Sequence, residues 1–479
     1  MNDKYNILIC FAKLGAGGIE TACLTQIKEY ARRGYNVFVL AEEGLYADTL
    51  KKMKNVNFIN FKYESKNSFN LDKVKQVEDI LIKNDIKLVD IHQIDCISSV
   101  CSACLLNKIP YIAYVHHGIL GVYDLELKMG NMSNEFLKLY YKYAYRIITI
   151  IEESKQENIE RFNIKEDKYE VIPNCIDFEK FKSNTEPNLD NVLLISRLEI
   201  DKGNGILHGL KFFKEYKKVN PNAKLTICGS GGQEDVVKKQ IKELGIECTM
   251  LGARNDVKEI MEQNGIVLGV ERCIQEAIAM KRYAIITGNE SFQGIVTPTN
   301  IDMFANVNFS GNTNKNINYK EMVDKLLEYS KDGKILEGTY NWLITNRNIK
   351  QNLYEIENIQ DISNPLDKLD KNEVIRILLG ELQYMHTWMQ KEIDRGWDAR
   401  QQTEDYYLSR EEWNEGQIKN KESEIEKLRE ENTEINEKLD KILKSNSWKL
   451  LKKWEIKNWL KKYLILWKGK IVIKIYMGS

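Results

Sequence analysis

The chain has no excess of either charge: 70 Lys and Arg stand against 70 Asp and Glu over 479 residues. It has no run of about 18 or more uninterrupted apolar residues, so no membrane-spanning helix is expected. Its opening, MNDKYNILIC, lacks a charged n-region, an apolar h-region and a cleavage site, and no signal peptide is expected. Nine Cys is an odd number without regular spacing, which excludes a disulfide scaffold and fits a reduced, cytosolic protein. A collagen-like chain is excluded as well, and 43% hydrophobic residues suffice for at least one large core.

Other absences are local. No Trp precedes Trp342, and no Cys follows Cys273. Residues 445–479 carry nine Lys and one Glu, net +8. Residues 370–444 carry 13 basic and 19 acidic side chains, net −6, which leaves −2 for the other 369 residues. The neutral total therefore hides a near-neutral body, an acidic rod and a basic end. At roughly 150 residues per domain, the length suggests about three units.

The body alternates short β-branched apolar runs with amphipathic stretches. Runs at 6–11, 36–40, 87–91, 111–115 and 146–151 read as buried parallel strands, with helical segments such as 20–33 and 72–84 between them. The pattern restarts at 192–195, 224–228, 265–269 and 284–287. The joint lies near Val171-Ile-Pro-Asn-Cys-Ile-Asp177, followed by the polar stretch 183–191. Two α/β units in tandem predict doubly wound sheets with a cleft between them, where ligands usually bind. Cys101 and Cys104 form the only close cysteine pair. They sit in the apolar run Ile97–Leu106, where packing in a buried helix is favoured over redox or zinc chemistry.

Several turns carry residues suited to an anionic ligand. Leu14-Gly-Ala-Gly-Gly-Ile-Glu20 follows the first strand, and such a turn lets backbone N–H groups approach an anion. Its spacing is not G-x-G-x-x-G, which disfavours a dehydrogenase-type dinucleotide site. Arg197 and Lys202 follow the first strand of the second unit, and two cations there suit a diphosphate. A second Gly-rich turn, Gly229-Ser-Gly-Gly232, follows the next strand. Glu271, Arg272 and Glu276 lie at a strand-to-helix junction, where a carboxylate could hold ribose hydroxyls or simply cap the helix.

In order and spacing these residues resemble glycosyltransferase family 4, retaining enzymes of the GT-B fold. Gly17-Gly18-Ile19-Glu20 matches the family's Gly-Gly-x-Glu turn. Val171–Asp177 matches its linker, with Cys175 for the usual Gly. Ser196–Gly203 matches Gly-Arg-Leu-x-x-x-Lys-Gly, with Ser196 for the first Gly. Glu276–Ile285 matches Glu-Ala-x-Ala-x-Gly-x-x-x-Ile, with Lys281 for the Gly. A second Glu usually stands eight positions before Glu276, where this chain has Leu268. Arg272-Cys-Ile-Gln-Glu-Ala277 and Asn308-Phe-Ser-Gly311 are similar to a subgroup that lacks that Glu.

The resemblance covers residues 5–360 and implies an N-terminal Rossmann-like acceptor domain over 1–172. A donor domain would follow over 173–340, then a helix over 341–364 returning to the first domain. It implies Arg197 and Lys202 on the donor diphosphate, Glu276 on the ribose, and the Gly17, Gly18 and Gly229 turns, Glu271 and Arg272 as further substrate contacts. It also implies His117, or else His116, beside the reacting sugar. The donor would be a nucleotide-diphosphate sugar, with no metal and no cofactor.

Beyond a helical linker over 365–417, heptads run over 418–444, with Ile418, Ile425, Asn432 and Leu439 at a and Lys421, Leu428, Ile435 and Ile442 at d. Asn at one a site favours a parallel homodimer in fixed register, against a single helix lying on the body. In 445–479, Trp448, Trp454, Trp459 and Trp467 interleave with Lys, as in an interfacial amphipathic segment on an anionic membrane. Packing on the protein is the alternative, and nucleic acid is disfavoured. The expectation is a cytoplasmic glycosyltransferase, peripheral at the inner face of a bacterial membrane, using a glycan or lipid-linked acceptor for surface polysaccharide. The alternatives are an inactive GT-B interaction protein and a GT-B sugar-nucleotide epimerase.

Overall fold

The computed structural model describes residues 4–15, 17–63, 70–116, 134–288, 291–311, 317–356, 364–370, 372–381 and single positions from 383 to 441. Residues 1–378 form one compact unit and 379–479 another.

In the first unit, the central apolar runs become strands buried on both faces, as parallel sheets require. β1 (Asn6–Lys13), β2 (Asn36–Glu42), β3 (Val56–Asn60), β4 (Ile86–Ile91), β5 (Tyr111–Val115), β6 (Arg146–Thr149) and β7 (Tyr169–Val171) make one sheet in the order β3-β2-β1-β4-β5-β6-β7. All its neighbours are parallel, and Cys10 of β1 lies opposite both Leu40 and Ile91. β8 (Asn191–Ile195), β9 (Lys224–Cys228), β10 (Cys248–Met250), β11 (Ile266–Gly269), β12 (Tyr283–Ile286) and β13 (Gly294–Ile295) make the second, in the order β10-β9-β8-β11-β12-β13, with β13 antiparallel. In each sheet the strand order reverses beside the first strand, and ligand crevices open at such switch points.

Helices cover both sheets, and local chemistry sets several of their ends. The Asn70 side chain accepts from the Asp72 and Lys73 amides to start Leu71–Lys83. Helix Ile94–Asn107 buries Cys101 and Cys104 completely, and both serve as packing.

The chain crosses between the sheets twice. Ile176 N donates to Arg347 O at 2.8 Å and Ile349 N to Ile176 O at 3.2 Å, so the two crossings pair with each other. After helix Lys334–Arg347, Ile349, Leu353, Tyr354 and Ile356 pack into the core of the first sheet. The Tyr30 hydroxyl donates to Tyr354 O at 3.2 Å. This return ties the ends of the two sheets together.

In the second unit, Ser423, Glu426, Lys427, Arg429, Glu430, Thr433, Glu434, Glu437 and Lys441 are helical and exposed. They occupy b, c, e and f positions of the heptads. The a and d residues and the Trp-rich end, 445–479, lie outside the described residues. Among the described residues no helix is long and apolar enough to cross a membrane.

Candidate active site

At the first sheet's switch point, β1 runs through a turn into helix Gly18–Arg32. Gly17 occupies its N-cap at φ −83° without a side-chain cap, so the first-turn N–H groups keep no intrahelical partner. A Cβ on Gly18 would meet nothing within 4 Å, so the turn is open on that side among the described residues. A Cβ on Gly17 would fall 2.1 Å from the Glu20 carboxylate, which folds back over the turn. Gln93, just past β4, fixes this corner: its Oε1 accepts from Ala12 N at 2.5 Å and its Nε2 donates to Glu20 at 3.3 Å.

Beside it lies a buried polar group that is nearly uncharged. His92 Nδ1 meets His116 Nε2 at 2.9 Å, and the Tyr114 ring stacks on His92 at 4.0 Å. Gln26 Nε2 donates to the Tyr114 hydroxyl at 2.5 Å and to Asp90 at 3.3 Å. Burial pushes the Asp90 carboxyl up to about 8. Burial, then the neighbouring His116, holds His92 well below the usual imidazole range. Both groups are neutral near pH 7. A pocket of about 190 Å³ opens here, lined by His92, Gln93, Asp95, Tyr114, His116 and Tyr141 among others. His117 lies outside the described residues, so of the two histidines expected near the sugar only His116 is located.

The second sheet's edge is charged and strained. Gly229 has φ +148°, and a Cβ there would sit 1.8 Å from Ser196 O. The glycine turn thus lies flat against the loop bearing Arg197, joined by Ser196 N to Cys228 O at 3.1 Å and Leu198 N to Ser230 O at 3.0 Å. Arg197 is exposed at the end of β8. Lys202 pairs with Glu271 at 3.0 Å. Glu271 has φ +58° and ψ −125°, a strained backbone for a residue with a Cβ, and its N–H donates to Phe309 O at 2.7 Å. Asn308 and Phe309 are themselves at φ +50° and +56°. The Glu271 and Asn308–Gly311 motifs therefore meet in space, 37 residues apart in sequence by their first positions.

Leu268 is fully buried in the second sheet's core, whereas Glu271 stands at the cleft edge. Lys281 has φ +54°, which is why a Gly suits that position, and its side chain pairs with Glu337 at the surface.

Arg272 and Glu276 join the two halves. Arg272 is 5% exposed; its Nε donates to Glu276 at 2.9 Å, Nη1 to Cys175 O at 3.0 Å and Nη2 to Thr25 Oγ1 at 2.7 Å. One guanidinium thus links the second sheet's helix Arg272–Ala279, the crossing strand and helix Gly18–Arg32 of the first sheet. All three of these nitrogens are directed at protein, so Arg272 bridges the sheets where a substrate contact was expected. Burial raises the Glu276 carboxyl above its ordinary value against the pull of Arg272 and Lys180. Tyr46, whose hydroxyl burial pushes to about 12, senses Glu276, Arg272 and Glu20 together. Sequence reasoning passed over Tyr46, His92 and Gln93. Only Asp90-Ile91-His92-Gln93, polar residues closing a strand, signalled any of them.

The Glycosyltransferase Family 4 model matches residues 16–180, and the Glycosyl transferases group 1 model matches 176–334. The chain belongs to the family 4 glycosyltransferases. It is 28% identical over 225 residues to an uncharacterized glycosyltransferase of Methanocaldococcus jannaschii. That match covers 42% of this chain and 55% of the relative, so the chain spans about half the length of the curated relative it matches. Among solved structures, HepE of Anabaena, crystallised with UDP and glucose, is 16% identical with a TM-score of 0.54, over 74% of this chain and 99% of that one. A glycosyltransferase of Rickettsia africae is 20% identical with a TM-score of 0.54, over 78% and 99%. These likenesses show the fold: a GT-B pair of Rossmann-like sheets.

Proposed function

We propose that this glycosyltransferase moves a hexose from a nucleotide-diphosphate sugar to a glycan or lipid-linked glycan, with retention of anomeric configuration. The observation that carries the reading is the pair Arg197 and Lys202 at the end of β8, one exposed and the other paired with Glu271. A diphosphate there would be held by both cations. As the glycosidic bond to the diphosphate breaks, these groups would stabilise the developing charge without a metal or cofactor. Glu276 would hold the ribose, and the neutral pocket of the first sheet would hold the sugar and acceptor. Anabaena HepE was solved with UDP-glucose, so UDP-sugars lead the candidates.

The test is a thermal-shift screen of the full chain against nucleotide sugars, where a binding donor stabilises by RT ln(1 + [L]/Kd). Product configuration is then read by NMR. Stabilisation by one donor and slow release of its sugar support the reading. No response to any nucleoside diphosphate or its sugars sinks it.

We further propose bacterial surface polysaccharide as the product. The heptads would pair two copies, and the +8 end would rest on the inner face of the membrane. Flotation with anionic liposomes tests the last point. A chain that stays in the heavy fraction with or without residues 445–479 refutes it.

A further inference from the structure

The neutral edge of the first sheet carries an arrangement that sugar transfer does not require. Cys23, on helix Gly18–Arg32, reaches the ends of β4 and β5. One ligand atom each from Cys23, His92 and His116 lies within 4.8 Å of the others. Cys23 is fully buried and His92 is 3% exposed. We propose that these three side chains form a binding site for a divalent transition ion of the zinc class.

The donor set points to that class. One sulfur and two imidazole nitrogens suit Zn²⁺ or Co²⁺, whereas Mg²⁺ and Ca²⁺ take oxygen. Bonds of about 2.0–2.1 Å to nitrogen and 2.3 Å to sulfur place tetrahedral ligand atoms roughly 3.3–3.8 Å apart. Ligand atoms that now lie within 4.8 Å of one another would close by up to about 1 Å.

The contact with His116 serves Nδ1 of His92 and leaves its Nε2 buried without a hydrogen-bond partner among the described residues. Three protein ligands leave a fourth position open, and the pocket lined by His92 and His116 gives it access to water or a small ligand.

Binding involves no redox change. The Cys23 thiol gives its proton to solvent, a metal–sulfur bond forms, and both histidines bind as neutral bases. The ion cross-links the helix that carries the Gly17-Gly18 turn to the two strand ends beside it. The site stands whether or not the chain transfers a sugar.

The test uses the full chain, stripped with a chelator and titrated with Co²⁺ as a spectroscopic reporter and Zn²⁺ in thermal melts. One equivalent of Co²⁺ is expected to give the near-ultraviolet charge-transfer band of a cobalt–thiolate bond, displaced by Zn²⁺, and Zn²⁺ is expected to raise the melting temperature. Cys23→Ser and His92→Gln should each lose the band and bind Zn²⁺ at least about 100-fold more weakly. His92→Gln carries the test alone if the serine variant does not fold. No thiolate band in the native chain, or a band kept by either variant, overturns the site.

Discussion

The two sheets present opposite materials to the cleft. At the ends of β4 and β5 stand His92, His116, Tyr114, Gln26 and Asp90, a buried, aromatic and nearly uncharged group. At the ends of β8 and β11 stand Arg197, Lys202, Glu271 and Glu276, with positive-φ backbone at Gly229, Glu271, Asn308 and Phe309. A sugar is neutral and offers hydroxyls and C–H faces. A diphosphate is doubly charged and needs fixed cations. Under the proposed function, the contrast would put the nucleotide end of a donor on the second sheet and the sugar end on the first. It also places the strain where the charged group must be gripped.

The contrast breaks most visibly at the cations. Arg197→Ala and Lys202→Ala each remove a charge-assisted interaction of about 1.5–3 kcal/mol, and losing both should lower transfer by two or more orders of magnitude. UDP binding measured by calorimetry should weaken in step and depend on salt. A first-sheet variant such as Tyr114→Phe should leave UDP binding within about twofold. Nucleotide affinity that is insensitive to both cations would reverse the assignment of the two edges.

The link between the edges comes next. Arg272→Leu leaves Glu276 buried beside no guanidinium, a loss of about 3–5 kcal/mol by denaturant unfolding. Thr25→Ala keeps the Arg272–Glu276 pair and removes only the partner on the first sheet, at about 1–3 kcal/mol. If both cost the same, the guanidinium does not join the sheets as its contacts indicate. Gly229→Ala is expected to cost about 1–3 kcal/mol, because its φ of +148° and the nearby Ser196 carbonyl both resist a side chain.

How much of this was legible in sequence follows from where each signal lives. The strands at the centre of both sheets were readable because burial on both faces makes continuous apolar runs. β3 (Val-Asn-Phe-Ile-Asn) and β10 (Cys-Thr-Met) were not, because edge strands are short and half exposed. Arg197, Lys202 and Glu271 were readable because one loop and one helix start hold them. The His92–His116 contact joins residues 24 apart, and Arg272–Thr25 joins residues 247 apart, so no local pattern announces either. The contacts of Arg272 with Thr25 and Cys175 O are invisible in sequence for this reason. Spacing on its helix sets it beside Glu276, and only the packing of the first helix shows where its other donors go.

The smallest effects distinguish the two halves by the sign of a pH slope. The folded Glu276 carboxyl titrates above its ordinary value, chiefly through burial. Between those two values the folded chain holds a proton that the unfolded chain has lost, so stability falls as pH rises through the acid window. Lys168, which closes the turn before β7, is the opposite case. Burial lowers its ammonium to about 8, while its Nζ donates to Ala144 O at 2.9 Å. Between about 8 and the ordinary lysine value the unfolded chain binds the extra proton, so stability rises with pH. Chemical denaturation across both windows should show a decline on the acid side, flattened by Glu276→Gln, and a rise on the alkaline side, flattened by Lys168→Met. The two variants should not affect each other's window, because one group lies at the cleft and the other behind the first sheet. A Glu276→Gln profile with the native slope would mean that Arg272 neutralises the carboxylate fully, and the second edge would then present less net negative charge to a nucleotide than burial implies.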